Sequence, residues 1–329
     1  MNEQDFRNKF ISEKELYLSW GNYIKDTLLE NTTLYSLLKM PISVRVKDIE
    51  SLVNKAFYRK KSYKDPYNDI TDKVGLRIVV LLSDDIKNIC DVIVSNPNWR
   101  FSEDRNFEDE REENPNIFTY QSVHYVLTNL YEFRYKNVLI PSGITCEVQI
   151  RTLLQHSYSE LTHDTIYKSK ISTEPIIHRK IARSMALIEA TDELFCDVTN
   201  QINIKAQIIT SYMDLLTTYY IDILKQKNLN TQINFKVDDL NISILDQYIN
   251  VLQETQLNRL RAYIKDNFEL LADIINDYYI KNKFYQQPII LFLIYMVSEE
   301  KFNAKNHWDI SLELLEQIAN SIGETINNI

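Results

Sequence analysis

Glycine is scarce in this chain of 329 residues, which contains only Gly21, Gly75, Gly143 and Gly323. A P-loop or a dinucleotide-binding fingerprint needs several glycines within a few positions, so that the backbone can approach a phosphate closely. Both motifs are therefore excluded. If the protein handles nucleotides, side chains and a metal ion must hold the phosphates.

Cysteine is equally scarce: Cys90, Cys146 and Cys196 form an odd set without CxxC spacing. This pattern argues against a disulfide framework or a zinc knuckle and fits a reducing compartment. The first ten residues lack an apolar signal core, and the longest apolar run, Pro288 to Val297, is about half of the roughly 20 residues that a membrane helix needs. We expect a soluble, cytoplasmic protein with no membrane partner.

The overall charge is acidic, with a net value of -9. Proteins that wrap nucleic acid neutralise phosphates with clustered Lys and Arg, so this is not expected to be the main role here. The length and the 44% apolar content favour two domains. A weak change of pattern near residues 201–205 divides the chain into residues 1–200 and 201–329.

Helical periodicity covers the N-terminal part to about residue 62, with a break at Pro41 and a second helix from about Ser43. Lys73–Leu82 is rich in β-branched residues and is predicted to be a buried strand, followed by a helix over Asp84–Ser95.

Strands are predicted over residues 117–130 and 145–151. The acidic segment Glu103–Glu113 has no periodic apolar face and is predicted to be a solvated loop. From Leu153 onward the pattern is helical, with one break at Ser172–Pro175.

Four polar residues recur every four positions after Pro41, and Arg45 precedes them. They are Lys47, Ser51, Lys55 and Arg59. On a helix this spacing places them on one face. The face is either a solvated cationic stripe or, since no acidic residue interrupts it, a surface for an anionic partner.

Asp72 stands at the start of the predicted buried strand, before Gly75 and Arg77. A carboxylate at a strand edge can bind Mg²⁺, which takes one or two carboxylates together with substrate phosphates. Alternatively, Asp72 pairs with a nearby base or caps the turn.

A two-residue period places Tyr120, Ser122 and His124 on one face of a predicted strand. An aromatic ring beside small polar groups can stack on and read a nucleic-acid base. A strand tyrosine can equally pack in a core.

The sharpest pattern lies in Cys146–Arg151, where Glu147, Gln149 and Arg151 share one face and apolar residues occupy the other. An acid, an amide and a guanidinium are costly to bury without partners. This face either meets open solvent or lines a polar cleft.

The helix that follows carries four chemically active residues on one face: His156, Glu160, His163 and Tyr167. A zinc site would need a further ligand close by, and no HExxH pattern is present. Phosphate contacts or hydrogen bonds that support neighbouring site residues are the favoured roles.

Taken together and in this order, the motifs resemble the synthetase domain of the RelA/SpoT family over roughly residues 40–195. The matching patterns are R-x-K-x-x-x-S-x-x-x-K (Arg45, Lys47, Ser51, Lys55), D-x-x-G-x-R (Asp72, Gly75, Arg77), Y-x-S-x-H (Tyr120, Ser122, His124), E-x-Q-I-R-T (Glu147, Gln149, Ile150, Arg151, Thr152) and H-x-x-x-Y-K (His163, Tyr167, Lys168).

The resemblance implies an α+β fold, with a mixed, mainly antiparallel sheet flanked by helices. The helical periodicity beyond about residue 200 predicts that an all-α C-terminal domain follows. It implies a pyrophosphokinase that moves the β,γ-pyrophosphate of ATP to the 3′-hydroxyl of GDP or GTP. It also implies Mg²⁺ on Asp72 and Glu147, with Glu147 as general base.

The resemblance assigns the remaining residues to two substrates. The ATP-binding residues are Arg45, Lys47, Ser51, Lys55, Arg59 and Arg77. The acceptor-binding residues are Tyr120, Ser122, His124, Gln149, Arg151, His163, Tyr167 and Lys168, with Tyr120 stacking on the guanine.

Two departures from the family pattern bear on the acceptor: Thr119 stands where a glycine usually precedes the stacking tyrosine, and the preceding loop is unusually acidic. Because the chain has no room for a hydrolase domain before Arg45, we expect no alarmone hydrolysis.

An alternative function is that of toxic relatives, which act on the tRNA 3′ CCA end or on adenosine nucleotides. Thr119 and a basic run motivate this alternative, whereas the acidic charge of the chain argues against it. The run consists of Arg59, Lys60, Lys61 and Lys64.

A second alternative is a catalytically silent nucleotide sensor. The C-terminal helices are expected to serve oligomerisation or to bind a trigger or antitoxin protein.

Overall fold

The computed structural model describes residues 1–59, 63–118, 121–163, 174–229 and 236–324. The chain divides into two compact units, Met1–Val198 and Thr199–Ile329. Within the described ranges, no helix is both long enough and apolar enough to cross a membrane. Tyr120, Tyr167 and Lys168 lie outside these ranges.

The first unit combines a sheet with helices. Its helices are α1 (Glu3–Leu29), α2 (Thr32–Leu37), α3 (Ile49–Val53), α4 (Pro66–Asp69), α5 (Ser83–Val94), α6 (Phe107–Glu113) and α7 (Leu153–Thr162), and a π-helical turn, Asn54–Tyr58, follows α3. Its strands are β1 (Ser43–Val46), β2 (Val74–Val80), β3 (Trp99–Arg105), β4 (Val123–Asn129), β5 (Phe133–Tyr135), β6 (Val138–Ile140) and β7 (Thr145–Thr152). The long helix α8 (Pro175–Gln226) begins in this unit.

Five strands form one sheet in the order β1-β2-β7-β4-β3, and β5 pairs with β6 separately. The central pair β2 and β7 is parallel, whereas the other neighbours are antiparallel. The predicted α+β class, with a mixed and mainly antiparallel sheet and a helical C-terminal region, is confirmed.

One face of the sheet is apolar and packs under α1. The strand residues of this face are buried, among them Leu76 and Val148. Gly21 lets α1 approach closely, because a Cβ there would lie 2.5 Å from Cγ1 of Val44 and 3.0 Å from Cγ2 of Val74. The opposite face carries the polar residues of β7.

The predicted helix from Ser43 is wrong, because Ser43–Val46 is strand β1. Val44 and Val46 alternate with polar residues, and the segment pairs with the edge of β2. The helix begins only at Ile49, where the side chain of Asp48 accepts the backbone N–H of Ser51.

The predicted loop at Glu103–Glu113 is also wrong. Strand β3 continues to Arg105, because an edge strand that pairs with β4 keeps its charged side chains in solvent. Helix α6 follows, with Asn106 as its N-cap, three acidic residues in its first turn and Phe107 buried. Acidic side chains stabilise the N-terminus of a helix.

The second unit is helical. It contains the end of α8, then α9 (Leu240–Gln247), α10 (Glu254–Asp266), α11 (Phe268–Tyr278), a 3-10 turn (Lys283–Gln286), α12 (Ile289–Glu299), α13 (Lys301–His307) and α14 (Leu312–Ser321). Residues 289–297 of α12 are all buried, so the longest apolar run of the sequence is the core helix of this unit. The side chain of Asn241, itself fully buried, accepts the backbone N–H of Ile289 at 3.0 Å and so supports the start of α12.

Candidate active site

The polar face of the sheet brings residues from four strands into adjacent positions. Gly75 of β2 lies opposite Arg45 of β1 on one side and Glu147 of β7 on the other. Gln149 of β7 lies between Arg77 of β2 and His124 of β4. Because Gly75 has no side chain, the row of polar groups leaves a gap between Arg45 and Glu147.

Asp72 lies just before β2 and is largely buried, with 14% of its side chain exposed. Its Oδ2 atom accepts hydrogen bonds from Nζ of Lys47 and, at 2.7 Å, from Nζ of Lys55. Burial alone raises the pKa of Asp72, but the two ammonium groups outweigh burial and hold the pKa below its usual value. The carboxylate is therefore ionised at neutral pH.

The predicted ATP-binding residues of the segment after Pro41 lie in two different environments. Lys47 and Lys55 converge on Asp72, while Arg45, Ser51 and Arg59 are exposed. The described contacts thus bring two of the five predicted ATP-binding residues of this segment to the carboxylate.

Glu147 is held by neighbours on two strands. Its Oε1 lies 3.3 Å from Nδ1 of His124, and its Oε2 accepts a hydrogen bond of 2.9 Å from the amide of Gln149. Burial and the nearby charge of Asp72 raise the pKa of Glu147, but His124 and then Gln149 outweigh them, so the pKa lies below its usual value. Like Asp72, Glu147 is ionised at neutral pH.

A chain of hydrogen bonds extends from Glu147 in both directions. On β4, Nε2 of His124 lies 2.5 Å from the hydroxyl of Ser122. On β7, Oε1 of Gln149 accepts from Nη2 of Arg151, whose side chain is buried. The predicted common face of Glu147, Gln149 and Arg151 is present and lines a polar region rather than open solvent.

Arg77 links the sheet to α7. Its Nη1 donates to Oε1 of Glu160 at 2.8 Å, and Nδ1 of His156 lies 3.9 Å from the same oxygen. Burial, followed by the positive charges of Arg77 and Arg151, lowers the pKa of His156. His163 is exposed at the end of α7.

A neighbouring group of contacts was not predicted from the sequence. Gln121, which follows Tyr120, accepts from Nη2 of Arg111 at 2.8 Å and donates to Oε2 of Glu189 at 2.8 Å. Thr152, at the end of β7, donates to Oδ2 of Asp192 at 2.8 Å. The available signal was the presence of two acids, three positions apart, on a helix face that also carries Met185 and Cys196.

The two carboxylates fit a magnesium ion. Mg²⁺ binds carboxylate oxygens, and Oδ1 of Asp72 is buried yet accepts no hydrogen bond from any residue that the structure describes. Asp72 lies two residues before β2, and Glu147 lies opposite Gly75 of β2 on the adjacent strand. Oδ1 of Asp72 and the carboxylate of Glu147 are the atoms that would hold the ion.

Residues 44–172 match the family model described as the region found in RelA/SpoT proteins. Among curated proteins, no match is found.

Two solved structures share the fold. Small alarmone synthetase 1 from Bacillus subtilis is 20% identical, with a TM-score of 0.50 over 60% of this chain and 98% of that chain. A GTP pyrophosphokinase family protein from Streptococcus pneumoniae is 22% identical, with a TM-score of 0.50 over 59% of this chain and 94% of that chain.

The sheet with its polar face therefore has the fold of the small alarmone synthetases. More specifically, residues 44–172, which lie in the first unit, match the region found in RelA/SpoT proteins. The resemblance drawn from the motifs is confirmed.

Proposed function

We propose that the protein catalyses the Mg²⁺-dependent transfer of the β,γ-pyrophosphate of ATP to the 3′-hydroxyl of GDP or GTP, producing ppGpp or pppGpp and AMP. The observation that carries the proposal is the pair of ionised carboxylates, Asp72 and Glu147, on the polar face of a RelA/SpoT domain. We further propose a cytoplasmic location, where ATP is available as the donor.

The cations around the site suit a polyphosphate. Lys47 and Lys55 together bring two positive charges to the single charge of Asp72, and Arg77 lies on β2, the strand that Asp72 precedes. Phosphoryl transfer depends chiefly on positioning and charge neutralisation, so such a cluster can act without a P-loop. Mg²⁺, when bound, would neutralise charge on the triphosphate and polarise the reacting phosphoryl group.

Glu147 is suited to act as the general base. It is ionised, and His124 and Gln149 fix the orientation of its carboxylate. In the proposed step, Glu147 takes the proton of the 3′-hydroxyl while that oxygen forms a bond to the β-phosphorus of ATP. The bond between the β-phosphorus and the oxygen that bridges the α- and β-phosphorus atoms breaks, and AMP leaves with this bridging oxygen.

The acceptor is proposed to lie towards β4. Ser122 and His124 are on this side of Glu147, and the predicted stacking residue Tyr120 precedes them in sequence. The predicted contacts of Gln149, Arg151 and His163 with the acceptor belong to the same proposal. The role of the second unit in oligomerisation, or in binding a trigger or antitoxin protein, stays a prediction.

The proposal is tested by offering GDP, GTP, ATP and bulk tRNA separately to the purified protein with γ-³²P-ATP and Mg²⁺. Glu147→Gln is expected to abolish transfer, while Glu132→Gln, the same change at an exposed site, should leave it unaffected. Label on GDP or GTP supports the proposal. Label only on tRNA or ATP would contradict the acceptor assignment, and no label on any acceptor would contradict the activity.

A further inference from the structure

Helix α8 presents one particular face to the sheet-bearing part of the first unit. Met185, Asp192 and Cys196 on this face are buried, and 20% of the Glu189 side chain is exposed. Spacings of four, three and four place these residues on one side of a helix. Two of the four are acids, whereas Glu193, directly after Asp192, is exposed.

Glu189 is tied to the segment that enters β4. Its Oε2 accepts from the amide of Gln121 at 2.8 Å, and its Oε1 lies 3.4 Å from Nε of Arg111. Arg111 in turn donates to the other end of the Gln121 side chain. The amide oxygen and the amide nitrogen of Gln121, which is itself buried, therefore both have hydrogen-bond partners.

Asp192 is tied to the end of β7. Its Oδ2 accepts from the hydroxyl of Thr152 at 2.8 Å, and both residues are almost fully buried. The same hydroxyl oxygen accepts the backbone N–H of Gln155 and caps α7. The second oxygen of Asp192, Oδ1, is buried and has no hydrogen-bond partner among the described residues.

These two contacts reach two of the polypeptide segments that form the site. Gln121 directly precedes Ser122, whose hydroxyl contacts His124 beside Glu147, and Thr152 directly follows Arg151. Both acids lie beyond residue 172, where the match to the RelA/SpoT region ends.

We propose that Glu189 and Asp192 are positioning residues, which together fix the segment entering β4 relative to the end of β7. This inference rests on the proposed function. Residues three apart on a helix are about 4.5 Å apart along its axis, so a rigid helix sets the spacing of the two contacts. A displacement of about 1 Å at a reacting centre can reduce the rate substantially.

Glu189 and Asp192 are expected to affect different kinetic constants. Gln121 adjoins the proposed acceptor contacts, whereas Lys47, Lys55 and Arg77 lie towards β1 and β2. Glu189→Ala is therefore expected to raise the KM for the acceptor by about tenfold and to change the KM for ATP by less than about twofold. Glu193→Ala is the matched control and should change neither.

Asp192 is tested by comparing two substitutions. Asp192→Ala leaves the buried hydroxyl of Thr152 without its acceptor and is expected to lower kcat about tenfold. Asp192→Asn retains an oxygen that accepts from Thr152 and should restore most of that loss. Circular dichroism and thermal melting identify any variant that fails to fold. If Asp192→Ala fails to fold, the kcat of Asp192→Asn decides whether Asp192 has the proposed positioning role.

A second readout does not depend on turnover. Hydrogen exchange of the full chain should be faster over residues 121–124 in Glu189→Ala than in the wild type, with no such change in Glu193→Ala. Equal exchange in both variants, or an equal rise of the two KM values in Glu189→Ala, would overturn the inference. If the wild type transfers no label to any acceptor, the proposed function fails, and the exchange experiment alone decides the positioning role.

Discussion

Nζ of Lys55 donates a hydrogen bond of 2.7 Å to Oδ2 of Asp72, the oxygen that also accepts from Lys47. Two ammonium groups thus share one carboxylate oxygen, while Oδ1 of Asp72 accepts no hydrogen bond from the described residues. The cluster has a surplus of positive charge. This arrangement suits a site that receives a polyphosphate and a metal ion together.

Replacing Lys55 by Met is expected to raise the pKa of Asp72, because burial opposes its ionisation and one of the two opposing cations is lost. The acid limb of the pH–rate profile should therefore move to higher pH, and the KM for ATP should rise. Lys14→Met, on the exposed side of α1, serves as control. An acid limb that stays in place would show that Asp72 does not limit the rate at low pH.

Replacing His124 by Ala removes the contact that contributes most to lowering the pKa of Glu147. We expect kcat to fall by about 10- to 100-fold, the usual cost of losing a group that orients a functional residue. Ser122→Ala should cost less, since it removes only the hydroxyl that supports His124. Steady-state kinetics on both variants test this order. A larger loss of kcat in Ser122→Ala than in His124→Ala would contradict it.

Replacing Gly21 by Ala is expected to destabilise the first unit by about 1–3 kcal/mol, because the new methyl group overlaps Val44 and Val74 of the sheet. Urea denaturation measures the change, with Glu15→Ala on an exposed position of the same helix as control. Equal stability of the two variants would mean that α1 can move away from the sheet at little cost.

The stability of the fold should depend on pH through Asp192. Burial raises its pKa from 3.8 to about 6, against the weaker opposing effects of Thr152 and Arg111. The folded state then binds more protons than the unfolded state between these values, so the free energy of unfolding falls as pH rises from about 4 to 6. Relative to the wild type, the free energy of unfolding of Asp192→Asn should therefore rise by on the order of 3 kcal/mol across this range.

Thermal or urea unfolding of both proteins between pH 4 and 8 measures this difference. A constant difference between Asp192→Asn and the wild type over the whole range would contradict the assignment.

Much of the fold was readable from local patterns. The β-branched run at Lys73–Leu82 predicts β2, and the alternation at residues 145–151 predicts β7, because burial imposes a period of two on a strand with one polar face. The positions of β1 and β3 were not readable. Both are edge strands, where pairing with a distant strand decides the structure and local charge does not.

The candidate site could also be predicted only in part, where its residues follow a local pattern. Sequential motifs identified Asp72, Glu147 and the polar face of β7, since each motif lies within one element. The convergence of Lys47 and Lys55 on Asp72, and the contacts of Glu189 and Asp192, join residues far apart in the chain. No local pattern encodes such contacts. The roles assigned to the individual residues stay predictions.

Following both ends of ATP in the reaction with GDP, Mg²⁺ and the wild-type protein distinguishes transfer of a pyrophosphate group from transfer of a single phosphate. We expect labelled AMP from α-³²P-ATP and an equal amount of labelled guanine nucleotide from γ-³²P-ATP. Glu147→Gln should give neither. Formation of labelled ADP from α-³²P-ATP, or of AMP without a matching labelled guanine nucleotide, would contradict the transfer of a pyrophosphate group.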